Sequence, residues 1–224
     1  MGWRATRVRT LSTLILVGCG IYALLDVVVQ TLPPHYSPIH QAESDLAVGP
    51  YGSLMDINFI LRGALTLCLV GVLATVLPER ARSRLGMFAL TLWGATSALL
   101  AFFPTDILDD RRLVPHPHAT LPGEVHLALA TIGFIAAALG ALLTSVALHR
   151  GSGTPARAPL ALALLSVAAL LLLPLAGRFH HAGGLAERLF LAAVLAWTAA
   201  LAIRFRAMSA MARADQQVPP PVSP

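Results

Sequence analysis

Lysine is absent from this sequence and charge is scarce. Only 12% of the 224 residues are charged, and all sixteen cations are arginine. A water-soluble domain carries about 25% charged residues, so this composition argues against a soluble globular fold. Cysteine is nearly missing too. Cys19 and Cys68 both lie inside apolar runs, which argues against a disulfide framework. There is no phosphate-binding loop, no dinucleotide glycine pattern and no Gly-x-Ser-x-Gly elbow. No two histidines share the spacing of a His-Glu-x-x-His helix, and none falls at mid-membrane depth, which disfavours a bis-histidine heme.

What is present is long apolar sequence, 56% hydrophobic with a mean hydropathy of +0.72. A spanning helix needs roughly 20 apolar residues. Runs that meet or approach this length cover residues 11–32, 53–77, 85–103, 123–148, 160–176 and 185–203. The expected fold class is all-α, a polytopic membrane bundle of six transmembrane helices. It forms one domain over residues 1–213, with a Pro-rich tail, 214–224, expected to be disordered. The first run contains Leu16-Val17-Gly18-Cys19, which has the form of a lipobox. The run continues well beyond Cys19, longer than a signal-peptide core, so it is read as an uncleaved first span.

Six spans place both termini on one face. Arg4, Arg7, Arg9, Arg80, Arg82, Arg84, Arg150, Arg157, Arg204, Arg206 and Arg213 fall on that face. The opposite face receives Arg111, Arg112, Arg178 and Arg188. The positive-inside rule then makes the termini cytoplasmic, in what is expected to be a bacterial plasma membrane. The net charge of +5 is explained by these span-end clusters, so no nucleic-acid partner is expected; the lipid bilayer is. The titratable groups gather on the far face: seven of eight histidines and nine of eleven carboxylates, counting Asp26 and Asp56 in the outer halves of their helices.

Three charged residues, Asp26, Asp56 and Arg62, and the amide Asn58 stand out within the first two runs. A charge at the centre of a span costs about 2.5–3.5 kcal/mol or more unless it meets protein or water, so each is a functional candidate. Asn58 and Arg62 share a helix face, Asp56 points elsewhere, and Asp26 on the neighbouring helix is the expected partner of Arg62. The far-face loops add His40, Glu43 and Asp45 after the first span, and Arg188 at the start of the sixth. The connection from residue 103 to 126 carries Asp106, Asp109, Asp110, His116, His118, Glu124 and His126. Asp106 and His126 end consecutive helices on one face, so they are expected to touch, with His180 or His181 joining them. A carboxylate beside an imidazole suits general-base activation of water or ligation of a divalent metal such as zinc. Its plainer alternative is a structural hydrogen bond. Gly133 and Gly140 fit close helix packing.

The stretch Ser44-Asp45-Leu46-Ala47-x-Gly49-Pro50-Tyr51-Gly52-x-Leu54, followed by Asn58-Phe59, resembles the signature of the DUF998 family of six-span bacterial membrane proteins. Phe103-Pro104-Thr105-Asp106, Gly123-x-x-His126 and Gly184-Leu185-x-x-Arg188 are similar to three later motifs of that family, in order and spacing. The resemblance implies the six-span topology and marks these residues, but it implies no reaction. Arg62 departs from it, standing where an uncharged residue is expected.

Three functions follow as expectations. The first is an outward-facing His/carboxylate site, metal-assisted or not, that hydrolyses or transfers a lipid or lipid-linked substrate through Asp106 and His126. The second is a transporter or binding protein for a small molecule or ion, using Asp26, Asp56 and Arg62. The third is a non-catalytic membrane partner that docks through its polar loops.

Overall fold

In the computed structural model, residues 2–107, 120–151, 156–178 and 182–217 are described. They form six α-helices: α1 Gly2–Thr31, α2 Gly52–Val76, α3 Arg84–Leu100, α4 Leu121–Gly151, α5 Arg157–Arg178 and α6 Gly183–Gln217. Five are long and apolar enough to cross a membrane, and α3 is shorter at 17 residues. At 1.5 Å per residue α3 reaches about 25 Å, near the lower limit for a span. The all-helical polytopic bundle is as the apolar runs imply.

Helix ends differ most from the hydropathy boundaries at the start of α1 and the end of α6. α1 begins at Gly2 rather than near residue 11, so its arginines sit on helical turns that extend past the apolar run. α6 continues to Gln217, beyond the expected start of the tail at residue 214, and residues 218–224 lie outside the described ones. Ala and Arg are good helix formers, and nothing between residues 204 and 217 breaks the helix.

Each helix packs on its neighbours in sequence, and α6 returns to pack on α1. The six therefore close into a ring. Small residues let the backbones approach. A side chain at Gly63 would meet the Gly94 carbonyl at 2.6 Å, so α2 and α3 touch there and bring Trp93 and Ser97 beside Arg62. Gly133 faces Thr96 and Trp93, and Gly140 faces Leu90, which makes the α3–α4 seam as close as the sequence leads one to expect. Towards the termini face the core is filled by Ile15, Leu69, Leu73, Leu148, Trp197, Leu201 and Phe205.

The connection between α1 and α2 is folded rather than loose. After Pro33 and Pro34 it turns, forms a short 3-10 segment over Glu43–Ala47, and enters α2 through Gly49. Gly49 has φ of +133°, a conformation that favours glycine. This loop rests on α1, α2 and α6 and covers the ring on the far face.

Candidate functional site

The covering loop inserts one carboxylate into the ring. Glu43, 3% exposed, places Oε2 3.0 Å from Nη1 of Arg62, which is 7% exposed. The phenol of Tyr22 on α1 donates to Glu43 Oε1 at 2.5 Å and accepts from Arg62 Nη1 at 3.1 Å. Arg62 Nε donates to Ser97 Oγ on α3 at 3.3 Å. Three rings surround the guanidinium: Trp93 at 4.8 Å, Phe59 at 5.2 Å and Tyr22 at 5.9 Å from its carbon. Arginine suits this setting because a planar, weakly hydrated cation stacks on aromatic faces while donating in its own plane.

Two expected contacts are corrected here. Arg62 pairs with Glu43 and not with Asp26. Asp26 instead accepts from Gln30, one turn along its own helix, at 2.7 Å, and its Oδ1 is buried without a partner. The physical reason is the loop: folding back over the ring brings Glu43 to the level of Tyr22, while Asp26 lies a turn nearer the far face. Nor do Asp106 and His126 bond to each other. Asp106 takes both the backbone N–H and the hydroxyl of Thr120, each at 2.8 Å. Thr120 in turn accepts from the Gly123 N–H at 3.1 Å, which caps α4. A side chain at Gly123 would collide with the Asp106 carboxylate. The short hydroxyl at the cap captures the carboxylate before the imidazole can.

His126 is 3% exposed, and its Nδ1 lies 2.6 Å from the Phe103 carbonyl. A carbonyl only accepts, so Nδ1 carries the proton, and Nε2, buried without a partner, is left with its lone pair. The ring meets Phe59 edge-on at 6.1 Å, which places it on the side of Phe59 that faces α4. Asn58, fully buried, donates to the Tyr22 carbonyl at 3.2 Å, and its Oδ1 has no partner. Asp56 is half-buried, apart from this group. His40 is exposed and Asp45 half-buried on the covering loop. His180, His181, His116, His118, Asp109 and Asp110 lie outside the described residues. Among the described residues, no three His, Cys, Asp or Glu side chains are grouped to hold a metal ion.

The loop is held at a second point by α6. Arg188 Nη1 donates to the carbonyls of Gln41 at 3.0 Å and Pro38 at 3.2 Å, and Nη2 donates to the Tyr36 hydroxyl. The Leu185 N–H reaches the Ile39 carbonyl at 3.1 Å, and Gly184 lets the loop backbone lie where a side chain would be. Glu187 Oε2 accepts from the Glu43 N–H at 3.3 Å. On this loop, burial raises the Asp45 carboxyl from 3.8 to about 6. It raises Glu43 as well, against the opposing pull of Arg62.

Below Arg62 a cavity opens between α1, α2, α3 and α6. About 20 Å³ of it is open to the centre of a water molecule, enough for one. Its walls are Leu65, Leu191, Val194, Leu195 and Trp93, with Tyr22, Thr66 and Thr198 supplying hydroxyls. Among the described residues Arg62 Nη2 has no protein acceptor, and Arg62 lines this cavity.

Tyr22, Trp93, Ser97 and Tyr36 were not singled out by the sequence. Their signal was present but weak: Tyr22 precedes Asp26 by four residues, and Trp93 and Ser97 are four apart, each pair on one helix face.

A closed ring of apolar helices around a buried ion pair defines a polytopic helical membrane protein. The chain belongs to the DUF998 family, described as protein of unknown function, whose model matches residues 16–204. No curated protein and no solved structure matches the chain.

Proposed function

We propose that the protein binds, and in opening admits, a small polar solute at Arg62, with the 33–51 loop as its closure and the far face directed away from the cytoplasm. One observation carries this. Arg62 is held inside the ring by a carboxylate that arrives on a loop, and one guanidinium nitrogen remains for the cavity. Here the loop that carries Glu43 is also held by Arg188 and Leu185, and its lifting as a whole would join the cavity to the far face. The test uses a cysteine at Thr66 with Cys19 and Cys68 replaced by alanine. A small water-soluble thiol reagent added from the far face should label it, and Glu43→Gln should speed labelling about tenfold. No labelling in either protein would count against a site that opens.

A second reading keeps the outward-facing His/carboxylate site acting on a lipid or lipid-linked substrate. The unpartnered Nε2 of His126 favours it. It would need a hydrolytic activity lost in both His126→Ala and Asp106→Ala. The described donors do not fit zinc, because Thr120 occupies both Asp106 oxygens and no three His, Cys, Asp or Glu side chains are grouped around His126 among the described residues.

A further inference from the structure

We infer that the solute is a short organic carboxylate, and that Glu43 occupies the place its head group would take. The inference rests on the reading of Arg62 as a binding centre and names the chemistry of its ligand.

The occupied site is already a carboxylate site. One oxygen of Glu43 meets a guanidinium N–H at 3.0 Å and the other meets a phenol O–H at 2.5 Å. These are the donors a free carboxylate needs, and charge-assisted bonds of this type are the stronger class. Ser97 and the Trp93 face hold the guanidinium in place, so the fork is preorganised whether or not Glu43 is present.

The cavity walls select among anions. The Thr66 hydroxyl donates to the Arg62 carbonyl at 2.9 Å and the Thr198 hydroxyl to the Val194 carbonyl at 3.0 Å. Both are spent within their own helices, so Arg62 and Tyr22 are the donors left for an anion. Phosphate or sulfate, with oxygens in every direction, would leave several unsatisfied against Leu65, Leu191, Val194 and Leu195. A carboxylate is polar at one end only. Its other end can be apolar, and those side chains accommodate that end. Room for about one water limits the tail to one or two carbons without repacking. A cation is disfavoured by the guanidinium itself.

Glu43 thus acts as an internal competitor tethered to the loop. A ligand must displace it, so the apparent affinity of the wild type is reduced by the fraction of time the loop is closed. Removing the charge of Glu43 while keeping its shape should relieve that competition.

The experiment is equilibrium dialysis of radiolabelled propanoate against the full chain in detergent, as wild type, Glu43→Gln and Arg62→Gln. Propylamine, propanol and inorganic phosphate serve as competitors. Glu43→Gln should bind propanoate about tenfold more tightly than wild type. Arg62→Gln should bind none, and no competitor should displace the label. Tyr22→Phe, which removes one donor and no charge, provides a check if Arg62→Gln does not fold, and should weaken binding several-fold. Equal or weaker binding by Glu43→Gln would overturn the surrogate role of Glu43. Displacement by phosphate or propylamine would overturn the ligand class while leaving a binding centre in place. Absence of propanoate binding in every variant would also overturn the ligand class. Labelling at position 66 then decides separately whether the centre opens at all.

Discussion

Arg62 on α2 and Glu43 on the loop before it meet at 3.0 Å inside the ring, and no other carboxylate among the described residues forms a salt bridge with that guanidinium. Removing one partner of a buried pair leaves the other charge uncompensated. Glu43→Ala or Arg62→Ala should therefore cost about 3–5 kcal/mol, and the double variant with leucine at both positions much less than the sum. Asp26→Ala should cost about 1 kcal/mol or less, since it loses a hydrogen bond to Gln30 alone. Thermal unfolding in detergent separates these cases. An Asp26→Ala protein as unstable as Glu43→Ala would contradict the assignment of the pair.

The α3–α4 connection depends on a cap rather than on an imidazole–carboxylate bond. Thr120→Ala keeps the backbone N–H donor to Asp106 but loses the hydroxyl donor and the acceptor for Gly123, and should destabilise by about 1–2 kcal/mol. Gly123→Ala should be worse, because its side chain would overlap the Asp106 carboxylate. Unfolding midpoints of the two variants are the check. A Gly123→Ala protein as stable as wild type would place Asp106 elsewhere.

How much of this was legible in the sequence depends on the range of the interaction. The helices follow from apolar runs, and the close α3–α4 seam follows from Gly133 and Gly140, because each depends on local spacing. The burial of Arg62 could be read from its depth, but its partner could not. The position of Glu43 is set by contacts of Tyr36, Ile39 and Gln41 with Leu185 and Arg188, nearly 150 positions away. Asp106 lies in the segment beyond α3, which ends at Leu100, and His126 in the second turn of α4, which begins at Leu121. The contact failed because Thr120, an ordinary N-cap residue, offered Asp106 two donors.

Acidity should act on the covering loop. The Asp45 carboxyl is raised from 3.8 to about 6, so the folded loop prefers its protonated form. The stability linked to that preference is fully present below the ordinary carboxylate pKa and is lost as pH rises through about 6. Between about pH 4 and about pH 7 the unfolding temperature should fall, and Asp45→Asn should remove part of the fall. Glu43 is shifted in the same direction and supplies a remainder. An identical pH slope for wild type and Asp45→Asn would contradict the burial assigned to Asp45.

Glu43 and Arg62 together fasten the loop over the ring. Amide hydrogen exchange of residues 42–48, followed in wild type, Glu43→Gln and Arg62→Gln, tests it most directly. Both variants should exchange these amides at least about tenfold faster than wild type, to a similar extent, while the inward-facing turns of α2 and α6 stay protected. Unchanged exchange across residues 42–48 would contradict it, because the loop would then be held by Arg188 and Gly184 alone.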